Sequence, residues 1–348
     1  TLSDAIIDRS EAAMRDAIRA LPDGDYDYAL EIDGFDAPVR LALRIAVAGD
    51  TITLDFAGSS DQVPLGVNVA LNYTRAYATY GVKCAISPEV PNNEGAFRPV
   101  LIEAPEGSIL NAKHPAAVGG RHLVGHFLPS VVMGALSEAL PQAVAAPGAD
   151  GLWDTHIAGE DRAGRSFSYT WFASGGVGAM AERDGLSATA YPSGIAGVPV
   201  EVMETLAPML VHERSLASGS GGDGQYRGGL GQAMTFEVLT DKPFLFSGLY
   251  ERVRMPAPGL AGGAPGAPGI LEATGPDGEP IPLEPKITRT LPAGTRIRMV
   301  LPGGGGYGTP ADRDAASRAE DAADGYVWGT HSAHRCAACD PPADGSSS

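Results

Sequence analysis

Lysine is nearly absent from this 348-residue chain, occurring only at Lys83, Lys113, Lys242 and Lys286. None of the four follows a glycine, so the G-x4-G-K-[ST] loop that cradles a nucleotide's phosphates is not encoded. Positive charge as a whole is short. Lys+Arg number 25 against 42 Asp+Glu, a formal charge of −17, and such a chain repels nucleic acid and anionic membrane surfaces. Cysteine is equally sparse: Cys84, Cys336 and Cys339 do not make a disulfide framework, which points to a reducing, cytoplasmic compartment. No apolar run approaches the ~20 residues of a membrane span. The longest candidate, Leu123 to Leu140, contains His126, Pro129, Ser130 and Glu138, and no membrane association is expected. The opening Thr1-Leu2-Ser3-Asp4 shows no secretory pattern, and its lack of an initiator methionine suits a chain from which upstream sequence has been removed.

What the chain does have is an ordinary globular balance, 44% hydrophobic and 19% charged residues, enough for a sizeable core. Glycine (46) and proline (28) are abundant, which predicts many turns on a folded scaffold. A helix is expected over residues 3–21, with Ser3 as its cap and Ile7, Met14, Ile18 and Leu21 on one face. Alternation then predicts a hairpin: Val39, Leu41, Leu43, Ile45 and Val47, a turn at Gly49-Asp50, and Ile52, Leu54 and Phe56. Strands are expected at Phe97–Glu103, Phe167–Phe172, Met234–Leu239, Phe244–Ser247 and Arg296–Leu301, and helices at Leu123–Leu140 and Ala311–Ala323. The fold class is α+β, a β-rich mixed scaffold with a few packed helices and long Gly/Pro-rich loops. Texture suggests an α+β core region over 1–214, a β-rich region over 215–327 where glycines concentrate, and a divergent, disordered tail over 328–348.

Several chemistries fail on spacing. Gly176-Val177-Gly178-Ala179-Met180-Ala181 loosely fits a dinucleotide fingerprint, but Glu182-Arg183-Asp184-Gly185 interrupts the helix that should follow. No serine occupies the centre of G-x-S-x-G. His122 and His126, four apart, share one face of a helix, with Asp154 or His156 as a third metal ligand from elsewhere; capping or lining the helix is the structural alternative. His331, His334, Cys336 and Cys339 bring four zinc-type ligands into nine residues, against the alternative of a tail with two exposed thiols. The segment Ser218–Gly229 suits either an anion nest aided by Arg227 or close backbone packing. Asn68, Asn92, Asn93 and Arg98 are polar side chains within turn-forming or apolar segments and are the candidate substrate-binding residues, ordinary turn and capping bonds being the alternative for the asparagines. The catalytic residues stay unassigned.

Read in order, Leu21-Pro22-Asp23-Gly24, Asp55-Phe56-Ala57-Gly58-Ser59-Ser60, Pro91-Asn92-Asn93-Glu94-Gly95 with Arg98-Pro99, and His114-Pro115-Ala116-Ala117-Val118 form a collinear series. It continues through Gly175–Ala179, Pro199–Glu204, the Ser220–Gly231 loop, Gly262–Gly266 and Pro302–Gly308 with Asp324–Val327. The series resembles the hydantoinase B/5-oxoprolinase family, B-type subunits of ATP-dependent cyclic-amide hydrolases and related ketone carboxylases. The resemblance implies an incomplete or split B-type subunit, active only with an A-type partner that carries ATP and magnesium. It implies a small-molecule substrate such as a hydantoin, 5-oxoproline or lactam, or a ketone in the carboxylase version; a non-catalytic scaffold is the third reading. It also implies a divalent metal whose ligands come from an N-terminal portion missing here, which a separate polypeptide could supply.

Overall fold

The structure, a computed structural model, describes residues 1–327; the His331, His334, Cys336 and Cys339 cluster lies outside the described residues. Helix α1 (Leu2–Arg19) starts one step earlier than its sequence signal. Thr1, not Ser3, caps it, in a reciprocal capping box with Asp4, while Ser3 lies inside the first turn. Met14 and Ile18 bury its inner face, and Leu21 follows them into the core. The expected hairpin forms the centre of the first sheet, β1 (Gly24–Ile32), β2 (Val39–Ala48), β3 (Thr51–Asp55) and β4 (Val100–Glu103), in the order β1-β2-β3-β4. Only the β3–β4 pair is parallel. Strict alternation along β2 points Val39, Leu41, Leu43, Ile45 and Val47 inward. Gly49 makes the turn at φ +60°, a conformation glycine adopts without steric cost.

Helices pack on that sheet. They are α2 (Leu71–Ile86), the one-turn α3 (Glu94–Phe97) and α4 (His122–Gly125), and α5 (Leu128–Leu136). The expected helix at 123–140 divides at His126-Phe127, and Pro129 sits in the first turn of α5, where its missing N–H costs nothing. Strand β4 is shorter than expected, because Phe97 closes α3 and the chain extends only from Val100. The sequence reading missed α2 entirely. No side chain caps its start at Ala70, and its Tyr73-Thr74, Tyr77, Thr79-Tyr80 and Val82 favour strands by propensity. Packing against α5 overrides that preference: Gly81 lies so close to Pro129 and Val132 that a Cβ would stand 2.9 Å from the Pro129 Cα.

The second half builds two antiparallel sheets over a core that includes Trp153, Ile157, Trp171, Phe236, Phe246 and Met299. Its elements, in chain order, are β5 (Trp153–Glu160), β6 (Ser166–Ala173), α6 (Val200–Leu206), β7 (Met209–Leu216), β8 (Gln232–Val238), β9 (Phe244–Leu249), β10 (Ile270–Thr274), β11 (Lys286–Leu291), β12 (Arg296–Val300) and α7 (Ala315–Ala323). One sheet runs β11-β9-β5-β6 and the other β10-β12-β8-β7. The change in texture at residue 215 is therefore not a structural boundary: β5 pairs with β9 and β7 with β8 across it. The cores divide instead between Val144 and Trp153. Gly176-Val177-Gly178 is followed by no helix; the Gly176 Cα packs so tightly that a Cβ would stand 1.9 Å from the Gly229 carbonyl oxygen, which settles that segment as backbone packing.

The two cores meet through buried charge. The Asp33 carboxylate, at the end of β1, accepts the backbone N–H groups of Val253 (2.7 Å), Arg254 (3.1 Å) and Met255 (2.7 Å). Glu251 pairs with Lys286 at 2.8 Å, and Arg252 pairs with Asp150 at 3.4 Å with both side chains fully buried. The Arg252 guanidinium also lies 4.7 Å from the Phe127 ring centroid.

Candidate functional site

Helix α2 is the element on which both candidate sites are built. Its outer side, with α3, β4 and Pro192, walls a groove of about 730 Å³. The apolar wall comes from Tyr77 and Tyr80 of α2, Phe97 of α3, and Val100 and Ile102 of β4. Polar atoms come from Asn72, Arg75, Thr79, Lys83 and Asn92. A concave apolar surface carrying a few polar groups is the usual composition of a small-molecule site. Lys83 is buried and donates from Nζ to the carbonyls of Ser87 (3.2 Å) and Val90 (2.6 Å), closing the C-terminal end of α2. Burial lowers its pKa, since leaving water disfavours the charged form. Burial and a hydrogen bond to Cys84 push the Tyr80 phenol up to about 12, so it stays protonated.

Behind the groove runs an aromatic ladder that Tyr77 shares. Tyr73 and Tyr77 stack with ring centroids 4.6 Å apart, Tyr77 lies 5.2 Å from His126, and His126 lies 5.8 Å from His122. Arg121 covers Tyr73 at 5.4 Å, and Phe172 of β6 meets His122 edge-on at 6.2 Å. Asp154 of β5 stands directly across from Phe172 in the sheet, so both side chains share a face. His122 Nε2 and His126 Nδ1 in the ladder, and Asp154 Oδ1 on β5, are buried without a hydrogen-bond partner. Unpaired buried polar atoms are uncommon, and two on adjacent imidazoles single this pair out as a candidate site. Burial lowers both imidazole pKa values, His126 from 6.5 to about 4, so both rings are neutral at pH 7. Burial raises that of Asp154.

Two neutral imidazoles suit a divalent metal, but among the described residues no three His, Cys, Asp or Glu groups stand close enough to hold one. His156, the other suggested ligand, instead faces Ser168 with Nε2 3.0 Å from the hydroxyl. The described residues therefore do not form a complete metal site.

The remaining candidates separate cleanly. Asn92 lines the groove. Asn68 is fully buried and spends its amide on backbone, accepting from Val63 N–H at 2.8 Å and donating to the carbonyls of Val63, Leu65 and Ala117. Asn93 caps α3 through Ala96 N–H and donates to the Ser10 hydroxyl, tying α3 to α1. Arg98 pairs with Glu11 at 2.9 Å and Glu94 at 3.1 Å. Arg227 is likewise structural, bound to Asp321 at 3.1 Å. Sequence reasoning missed Arg75, Tyr77 and Tyr80. The spacing of Tyr73, Tyr77 and Tyr80, four and then three apart, was the available signal for a tyrosine-bearing helix face.

A family model described as hydantoinase B/oxoprolinase matches residues 1–310. The B-type component of a putative D-/L-hydantoinase from a Pseudomonas species (strain NS671) is 30% identical over 93% of this chain and 57% of its own. Among solved structures, the ATP-dependent caprolactamase of Pseudomonas jessenii superposes with a TM-score of 0.79 at 26% identity, covering 92% of this chain and 58% of that one. An acetone carboxylase determined without nucleotide shares the fold, with a TM-score of 0.78 at 21% identity over 91% of this chain and 50% of that one. The chain spans about half the length of the curated relatives it matches.

Proposed function

Because the chain belongs to the hydantoinase B/oxoprolinase family, we propose that it is part of a B-type subunit of an ATP-dependent hydrolase that opens a cyclic amide such as a hydantoin, 5-oxoproline or a lactam. The observation that carries this reading is the likeness to the caprolactamase, in fold and sequence together, over 92% of the chain. An unactivated amide is a poor electrophile. Phosphorylating its enol oxygen makes the carbon open to attack by water, with ATP and magnesium on an A-type partner serving this first step. The tetrahedral adduct then expels the protonated ring nitrogen, which breaks the C–N bond, and hydrolysis of the resulting acyl phosphate releases carboxylate and phosphate. The lack of a glycine-lysine phosphate loop in this chain agrees with such a division. A divalent metal belongs to the assembled complex, with ligands from outside residues 1–327. Within this chain, the neutral His122 and His126 imidazoles, each with an unpaired ring nitrogen, are the groups suited to hold an attacking water by a hydrogen bond.

Reconstitution with an A-type partner and the remainder of a B-type chain tests the proposal. ATP turnover stimulated by caprolactam, hydantoin or 5-oxoproline is expected, with His126→Ala lowering kcat at least tenfold. Cyclic-amide hydrolysis by the lone chain without ATP refutes it. Turnover that requires bicarbonate and a ketone assigns the chain to a carboxylase, and full activity of both His122→Ala and His126→Ala reduces it to a scaffold.

A further inference from the structure

In a chain of formal charge −17, the groove on α2 is lined by two cations, Arg75 and Lys83, and by no aspartate or glutamate. Arg75 is exposed and forms no ion pair or hydrogen bond among the described residues. Lys83 is 5% exposed and donates to carbonyl oxygens; among the described residues it forms no ion pair, Glu89 acting on it only from a distance. A buried cation without an anion is costly, and an open, apolar-floored groove beside it is where an anion lowers that cost. From this charge pattern we infer that the groove binds an amphipathic carboxylate, an aromatic or aliphatic body ending in a single carboxylate group. The body packs on Tyr77, Tyr80, Phe97, Val100 and Ile102, and the carboxylate meets the planar fork of Arg75, whose paired N–H donors match its geometry. The Asn72 and Asn92 amides stand at the same groove to complete its hydrogen bonds. One free guanidinium fits a monoanion and not a nucleotide's polyphosphate. A volume of about 730 Å³ accommodates a ligand of phenylalkanoate size.

This inference does not rest on the hydrolase reading. A complex inactive on every cyclic amide leaves it standing, and absence of carboxylate binding overturns it whatever the complex hydrolyses. The test is calorimetric titration of the purified chain with 4-phenylbutyrate and with its neutral counterpart, 4-phenylbutyramide. The carboxylate is expected to bind at least tenfold more tightly than the amide. Arg75→Gln, on an exposed position, is expected to remove that difference, and Phe97→Ala to weaken both ligands severalfold. Equal binding of acid and amide, an unchanged preference in Arg75→Gln, or no heat with either compound overturns the inference.

Discussion

At Asn68 one amide accepts the Val63 N–H and shares its two N–H donors among three carbonyls from two loops, with no atom left for a ligand. Asn68→Ala strands those groups in a dry interior and is expected to cost about 2–3 kcal/mol, read as a lower urea midpoint with an unchanged slope. His126 presents the opposite case, a buried side chain with an atom to spare. Its pKa is about 4 when folded against 6.5 ordinarily, so the folded state resists its protonation. The stability this contributes is complete above pH 6.5 and is lost as pH falls from 6.5 toward 4. His126→Gln is expected to flatten that acid-side loss, measured as the urea midpoint at pH 7 and at pH 4.5. Both residues read alike in sequence as polar groups in an apolar setting. Only their partners, 49 residues away at Ala117 for Asn68 and on β6 and α2 around the imidazoles, separate a structural amide from a candidate site.

Among the elements, α7 was legible as a helix but not in what it does. The alanine-rich stretch over 311–323 opens with a 3₁₀ turn at Pro310–Asp312, and Asp314 then caps α7 by accepting from Ala316 and Ser317 N–H at 2.9 Å. Asp321, on a helix expected to be exposed, is buried between Arg227 (3.1 Å) and Arg313 (2.7 Å), and Asp184 holds Arg313 at 2.7 Å. Asp321→Asn leaves two arginines short of charge and is expected to destabilise by about 3 kcal/mol. Asp314→Ala, which removes only a cap, is expected to cost about 1 kcal/mol. Denaturation midpoints of the two variants test that ranking. Helix α2 marks the converse failure: its tyrosines and threonines pointed locally to strand, and a close fit against α5 decided for helix. Because the groove and the aromatic ladder both stand on α2, missing it meant missing most of the candidate site.

Across the whole molecule, the buried ionic junction couples two cores that were expected to divide at residue 215. Burial raises the Glu251 pKa from 4.5 to about 7, despite Lys286 beside it. The folded state thus favours the protonated acid. Relative to an unperturbed carboxyl, stability from this group is greatest below pH 4.5 and declines as pH rises toward 7. Glu251→Gln is expected to remove that decline, seen as a smaller change in urea midpoint between pH 5 and pH 8 than in the parent chain. Asp33→Ala, which frees three backbone N–H groups at the same junction, is expected to make amide exchange in β1–β4 and in β5–β12 lose protection at different denaturant concentrations, where the parent loses both together. The amino-acid sequence alone determined the mixed α+β class, the β2–β3 hairpin, the glycine-built turns and the family, because alternation, turn chemistry and collinear motifs are local properties. Tertiary structure alone decided where the cores part, which asparagines are spent on backbone, and that His122 and His126 stand unpaired beside each other against the α2 tyrosines. Those outcomes depend on burial and on partners far apart in the chain, and no local pattern encodes either.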